Sequence, residues 1–161
     1  MELREQLRQE EGTVRRNGRY VVYDDATGKP IVKGSHVFGH PTIGWGRNLA
    51  GRGISTEEAE ALFSQDIVDS FRDCRKTFPW FNSLSENRQR VLVDLVFNMG
   101  LANLLGFPKF LYAASIKDWV KATLELMDSD YYRTQSVRVR RMVLMWRDDV
   151  SFEFACQEIK S

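Results

Sequence analysis

The feature that most constrains this chain is a change of period at Ser55. Beyond it, apolar residues recur every three or four positions almost to the end. Before it, between residues 19 and 46, they sit among closely spaced glycines and turn pairs. One segment cannot serve both periods, so the chain must separate a glycine-rich β patch from a helical remainder, an α+β pattern. Ser55-Thr56-Glu57-Glu58 has the form of a capping box, in which the serine hydroxyl accepts an early backbone N–H and the glutamate reaches back to the cap. Ala59, Leu62, Phe63, Ile67, Phe71 and Cys74 follow at helical spacing until Pro79, which predicts one long helix from about Ser55 to Phe78.

The other elements follow from the same reasoning. Residues 2–11 form a short amphipathic helix with Leu3 and Leu7 one turn apart, and Gly12 can end it in a left-handed conformation. Tyr20 to Tyr23 favour strand, and Thr27-Gly28 and Lys33-Gly34 mark turns of a small antiparallel sheet. A helix from Ser85 carries Val91, Leu92, Leu95, Val96 and Met99 and stops at Gly100. Phe107-Pro108-Lys109-Phe110 begins another. Ser115-x-x-Asp118 resembles a capping box for a helix with Trp119, Val120, Thr123 and Met127. Val139, Met142, Val143 and Trp146, then Phe152, Ala155, Cys156 and Ile159, mark the last two.

Composition narrows the function classes. With 161 residues and 43% hydrophobic content, the chain suits one domain. Its 23 Lys and Arg against 22 Asp and Glu give a net charge of +1, which carries no global nucleic-acid or membrane signal. No apolar run is long enough for a membrane span. The charged opening, MELREQLRQE, cannot be the apolar core of a secretory signal, so the protein is expected to begin its life in a cytosol. Cys74 and Cys156 are too few for a disulfide framework and fall on apolar helix faces, as buried free thiols do. His36 and His40 lack an obvious third partner for a metal, so neither metal nor cofactor is expected. From Tyr131 to Arg147 there are five arginines and no acid, which is either a solvated helix face or a basic wall for an anionic ligand.

Three pieces carry chemistry: Glu10-Glu11-Gly12, Tyr23-Asp24-Asp25, and Pro41-Thr42-Ile43-Gly44-Trp45-Gly46. Taken singly, the glutamates read as charges at a helix end and the aspartates as turn residues. In order, the set resembles the phage-type lysozymes, family twenty-four of the glycoside hydrolases. Those have a Glu-Gly ending the first helix, a Tyr-x-Asp, a glycine turn and a Thr-Ile-Gly-x-Gly. The likeness continues through Gly53-Ile54-Ser55, Glu58-Ala59-Glu60, Leu62-Phe63, Phe97-Asn98-Met99-Gly100, Tyr131-Tyr132, Arg138 and Arg140-Arg141, and so covers almost the whole chain.

The resemblance implies a lysozyme-like fold. A β-containing lobe (about 12–54) and a helical lobe (about 79–161, with helix 2–11) would be joined by the long helix (about 55–78), with Glu11 at the gap. It implies a muramidase that hydrolyses the β-1,4 bond between N-acetylmuramic acid and N-acetylglucosamine of peptidoglycan with inversion. Glu11, directly before glycine, is the implied acid; Asp25, two after the tyrosine, is the implied base, with Asp24 as standby; Thr42 helps to hold the water. Asn98, Arg138 and Tyr131 are the implied substrate contacts. Such chemistry needs one carboxyl kept protonated by burial and one ionised, and an exposed turn position such as Asp25 suits the second. The chain departs from the pattern at Arg47, where histidine is common, at Asn98, where glutamine is common, and at Asp130, near a position often basic. Asp25 and Thr42 lie farther apart than usual, which makes Lys29–His40 an insertion.

Rival readings are a lytic transglycosylase on the same bond, a non-enzymatic wall- or nucleic-acid-binding module, and an inactive relative. The Tyr-x-Asp and Thr set favours the hydrolase, acting as a monomer on peptidoglycan without nucleic acid. A free enzyme of this kind would leave the host cytoplasm through a holin-like pore; the alternative is a virion-associated lytic domain.

Overall fold

A computed structural model of the chain describes residues 2–134 and 136–160. Its elements fall into two compact units, Met1–Ala61 and Leu62–Ser161. Among the described residues there are ten α-helices and two small antiparallel sheets, an α+β architecture of lysozyme-like kind. No helix among them is long and apolar enough to cross a membrane.

The first unit opens with α1 (Leu3–Glu10). This helix does not end through a left-handed Gly12. Glu11 is its cap, in extended conformation at φ −86°, ψ 126°, with its N–H donated to the Leu7 carbonyl at 2.9 Å. The apolar run Tyr20–Tyr23 is not one strand. It is divided between β2 (Arg19–Tyr20), which pairs with β1 (Arg15–Arg16), and β3 (Tyr23–Asp24), which belongs to a second sheet. That sheet has the order β4-β3-β5-β6, with β4 at Lys29–Pro30, β5 at Pro41–Ile43 and β6 at Arg47–Asn48. Its register sets Tyr23 opposite both Pro30 and Thr42, and Asp24 opposite Lys29 and Pro41. The short α2 (Leu49–Arg52) follows directly, capped by the Asn48 side chain, which accepts from Gly51 N–H at 2.7 Å.

The long helix α3 (Thr56–Thr77) begins in the first unit and continues in the second. Its capping box forms as the sequence predicts. The Ser55 hydroxyl accepts from Glu58 N–H at 3.2 Å, and Ser55 N–H donates to Glu58 Oε2 at 2.8 Å. Glu58 also takes the Arg47 guanidinium, whose other nitrogen donates to the Gly53 carbonyl at 2.8 Å. Arg47, which replaces a common histidine, thus ties the end of the sheet to the helix start.

In the second unit a 3₁₀ turn (Phe81–Ser83) leads to α4 (Glu86–Met99), α5 (Leu101–Leu104), α6 (Pro108–Ser115), α7 (Trp119–Met127), α8 (Asp130–Thr134), α9 (Ser136–Asp148) and α10 (Phe152–Glu158). The core gathers Phe81, Leu92, Leu95, Leu104, Phe110, Leu126 and Val139 around Trp146, which lies 5.2 Å from the Phe110 ring and 5.8 Å from Trp119. Each such side chain contributes roughly 1.5–3 kcal/mol by leaving water. Arg88 is the buried charge of this core. It stacks over Trp119 at 4.1 Å, donates to the Trp146 carbonyl at 2.9 Å and pairs with Asp149 at 2.9 Å. Two local expectations are corrected. Asp118 itself, not Ser115, caps α7, because its side chain accepts from Lys121 N–H while the Ser115 hydroxyl turns back to the Tyr112 carbonyl. Cys156 is only half-buried, whereas Cys74 is fully buried.

Candidate active site

Glu11, Asp25 and Thr42 all belong to the first unit. Glu11 is held by what surrounds the helix end. The Tyr23 hydroxyl donates to the carbonyl of Gly12 at 3.1 Å, fixing the residue after Glu11 to strand β3. The Glu11 carboxylate lies directly against Gly46. A Cβ at that position would stand 2.5 Å from Oε2 and 3.0 Å from Cδ. Gly46 is also at φ +75°, so the Gly-x-Gly after Thr42 leaves the space that the carboxylate fills. The burial expected for Glu11 is not found: the residue is exposed, because α1 packs no buried residue of its own around it.

The two aspartates at the start of the hairpin are separated by one step of the pleat and serve different ends. Asp24 is only 3% exposed and accepts from three backbone amides: Ala26 at 3.1 Å, Phe38 at 3.0 Å and Gly39 at 2.9 Å. These hold its carboxyl below the usual carboxylate range, the Phe38 amide above all, against the opposing effect of burial. Its oxygens are committed to holding the loop, which removes Asp24 as the standby base. Asp25 keeps a side chain that is 40% exposed. Its Oδ1 accepts from His40 N–H at 2.6 Å, and Oδ2 lies 3.5 Å from His40 Nδ1. A Cβ on Gly39 would run into Asp25 Oδ1, so a glycine faces this carboxylate too.

Thr42 sits in the central strand β5 and is buried, at 2% exposure. Its hydroxyl donates to the His40 carbonyl at 3.1 Å, and the Asp25 N–H donates to the same carbonyl at 3.2 Å. Asp25 and Thr42 are therefore linked through one carbonyl. Tyr23 and Gly46 stand in the motifs that the sequence singled out, whereas no sequence pattern placed Gly39 or His40 beside Asp25.

Asn98, Arg138 and Tyr131 belong to the second unit, where they gather about Asp94, an acid that the sequence did not single out. Asn98 Nδ2 donates to Asp94 Oδ1 at 2.8 Å, and the Arg138 guanidinium pairs with the same oxygen. The Tyr131 hydroxyl is buried and, among the described residues, has no hydrogen-bond partner. Burial pushes it above the usual phenol range, with Asp94 adding to the shift and Arg138 opposing it. Arg138 is thus not an unopposed cation. Beside this cluster an apolar groove of about 230 Å³ is lined by Phe63, Ile67, Phe71 and Phe97.

Burial pushes the Cys74 thiol up to about 12, where almost no nucleophilic thiolate exists. Among the described residues no group of three or more His, Cys, Asp or Glu lies placed to hold a metal ion.

Comparison with known proteins adds an independent observation. The family model described as phage lysozyme matches residues 18–141, a range that includes Asp25, Thr42, Asn98, Tyr131 and Arg138 and starts after Glu11. The chain is 28% identical over 162 aligned positions to the pre-baseplate central spike protein Gp5 of Enterobacteria phage T4. That alignment covers 90% of the chain and 27% of the spike protein. The chain is also 29% identical over 104 positions to probable T4-type lysozyme 2 of Dictyostelium discoideum, covering 63% of this chain and 61% of that one. It therefore spans about a quarter of the first relative and about three-fifths of the second.

Proposed function

Because the chain belongs to the phage lysozyme family, we propose that it is a peptidoglycan muramidase with Glu11 as general acid and Asp25 as general base. The observation that carries this reading is the pair of carboxylates seated on glycines: Glu11 against Gly46, and Asp25 against Gly39. Side chains at either position would displace the reacting groups. Glu11 gives its proton to the glycosidic oxygen between N-acetylmuramic acid and N-acetylglucosamine. Being exposed in the free protein, it gains the required desolvation when the glycan covers it.

Asp25 takes a proton from the attacking water, which enters the anomeric carbon from the opposite face, so the configuration inverts. This arrangement requires carboxyl groups about 6.5–9.5 Å apart, with room for that water. Thr42 has committed its proton to the His40 carbonyl, so its oxygen meets the water as an acceptor. A water that donates one hydrogen to Asp25 and the other to Thr42 keeps a lone pair for the sugar carbon. Asn98, Arg138 and Tyr131 engage the substrate through the Asp94 cluster, Arg138 being suited to the lactyl and peptide carboxylates of the wall.

The test is clearing of outer-membrane-permeabilised cells by wild type beside Glu11→Gln. The two side chains are nearly isosteric, so the variant should fold and lose roughly two to four orders of magnitude in rate. Near-normal lysis by folded Glu11→Gln would sink the mechanism. Product analysis separates the rival chemistry: reducing muramic ends support hydrolysis, anhydro ends a transglycosylase.

A second reading concerns delivery. The match to a quarter of a phage spike protein favours a virion-borne lytic activity over a free enzyme released through a holin-like pore. Immunodetection in purified particles tests it; absence from particles, with accumulation in the infected cell, returns the free enzyme.

A further inference from the structure

The segment Lys29–His40, an insertion by the resemblance, enters the chemistry above only through Gly39 and the His40 carbonyl, yet its last three residues together wrap the hairpin that carries Asp25. Phe38 and Gly39 give their N–H groups to Asp24, at 3.0 and 2.9 Å. His40 then meets Asp25 through its N–H, its Nδ1 and its carbonyl. Its N–H donates to Oδ1 at 2.6 Å, and its Nδ1 lies 3.5 Å from Oδ2. Its carbonyl accepts from both Asp25 N–H at 3.2 Å and the Thr42 hydroxyl at 3.1 Å. Gly39, by lacking a Cβ, lets this turn come within contact of the carboxylate.

We propose that Phe38–Gly39–His40 is a clamp that orients Asp25 for catalysis, with His40 as a positioning residue whose imidazole holds the outer carboxylate oxygen. The inference rests on the muramidase reading. An aspartate that is 40% exposed is only partly held by packing against side-chain rotation. One oxygen bound by a backbone amide still leaves the carboxylate free to swing about that bond. A second contact on Oδ2 stops the swing, and the bound water then meets an oxygen of fixed direction. Misplacement of a reacting group by about 1 Å is enough to cost up to roughly a hundredfold in rate. The imidazole itself is 62% exposed and supports no core residue, so its removal should act on rate and not on folding. The insertion thereby does work that in a shorter hairpin would have to come from elsewhere.

The experiment measures kcat and KM on soluble peptidoglycan fragments for wild type, His40→Ala, His40→Asn and Asp25→Asn, with a thermal melt of each. His40→Ala should lower kcat about tenfold while KM stays within about twofold, a partial loss of the alignment effect, with an unchanged melting temperature. His40→Asn places an amide nitrogen where Nδ1 stood and should recover most of the loss. The chain has two histidines, so imidazole nitrogen resonances are assignable, and that of His40 should move in Asp25→Asn while that of His36 should not. Wild-type kcat in His40→Ala, no rescue by asparagine, or an unmoved His40 resonance would each overturn the clamp. Failure of the underlying reading looks different: wild type releases no glycan product, or Asp25→Asn is as active as wild type.

Discussion

Asp24 and Asp25 are adjacent, carry the same side chain, and have opposite physical fates. The pleat turns Asp24 into a ring of amides and leaves Asp25 at the surface. Turn propensity could not tell them apart; only the resemblance selected Asp25. The amides that decide the matter come from Phe38 and Gly39, far along the chain, and no local pattern announces them. Asp24's folded pKa is depressed, so its ionised form favours the folded state. That contribution is present above the unfolded value, near 4, and is lost as pH falls through the depressed one. Asp24→Asn should therefore melt below wild type at neutral pH, and the gap should narrow as pH falls below about 4. A gap of constant size across that range would contradict the assignment. Gly46→Ala tests the neighbouring seat. It places a methyl 2.5 Å from Glu11 Oε2 at φ +75°, so stability should fall by ~1–2 kcal/mol and lytic rate by at least about tenfold. A stable, fully active Gly46→Ala protein would show that the Glu11 carboxylate does not need this seat.

Among elements, the longer helices and the presence of a small antiparallel sheet were legible, but the short helices α2, α5 and α8 and the individual strands were not. Helical periodicity repeats over many residues, so an error at one position is outvoted, and α3, α4 and α9 stand where their apolar spacing set them. The strands are two or three residues long. At that length alternation has no room to declare itself, and Tyr20–Tyr23 passed for one strand although it serves two sheets. The cap of α7 was misassigned for a related reason: Ser115 and Asp118 compete near one boundary, and backbone direction picks one. At α7 the winner is Asp118. Asp118→Ala should destabilise the protein by ~1 kcal/mol, the usual loss of an N-cap. Ser115→Ala, whose hydroxyl bonds only back to its own helix, should stay within about 0.5 kcal/mol of wild type. Denaturant melts of the two variants decide between the caps, and the reverse ranking would restore the serine.

At the scale of the whole molecule the question is how a chain of net charge +1 would engage an anionic wall as the proposed muramidase. The stretch Tyr131–Arg147 holds five arginines and no acid in sequence, but space supplies the acids. Arg133 pairs with Asp130, Arg147 with Asp148, and Arg138 with Asp94, while Arg141 donates to the Ile159 carbonyl. Three of the five arginines are thus offset by acids, so the basic face is weaker than the sequence suggests. In the proposed reading Arg138 is the position to test, because its partner Asp94 also holds Asn98 and bears on Tyr131. In the proposed muramidase, Arg138→Ala removes the cation and leaves Asp94 to repel the substrate carboxylates. Arg147→Ala does neither. Lysis should fall more for Arg138→Ala than for Arg147→Ala, and Asp94→Asn added to Arg138→Ala should restore part of it. Exposed charges are screened over about 10 Å at 0.1 M salt, so wild-type activity should decline as ionic strength rises, and less steeply in Arg138→Ala. If both arginine variants keep wild-type rates with the same salt dependence, these side chains are a solvated helix face and the wall is recognised without them.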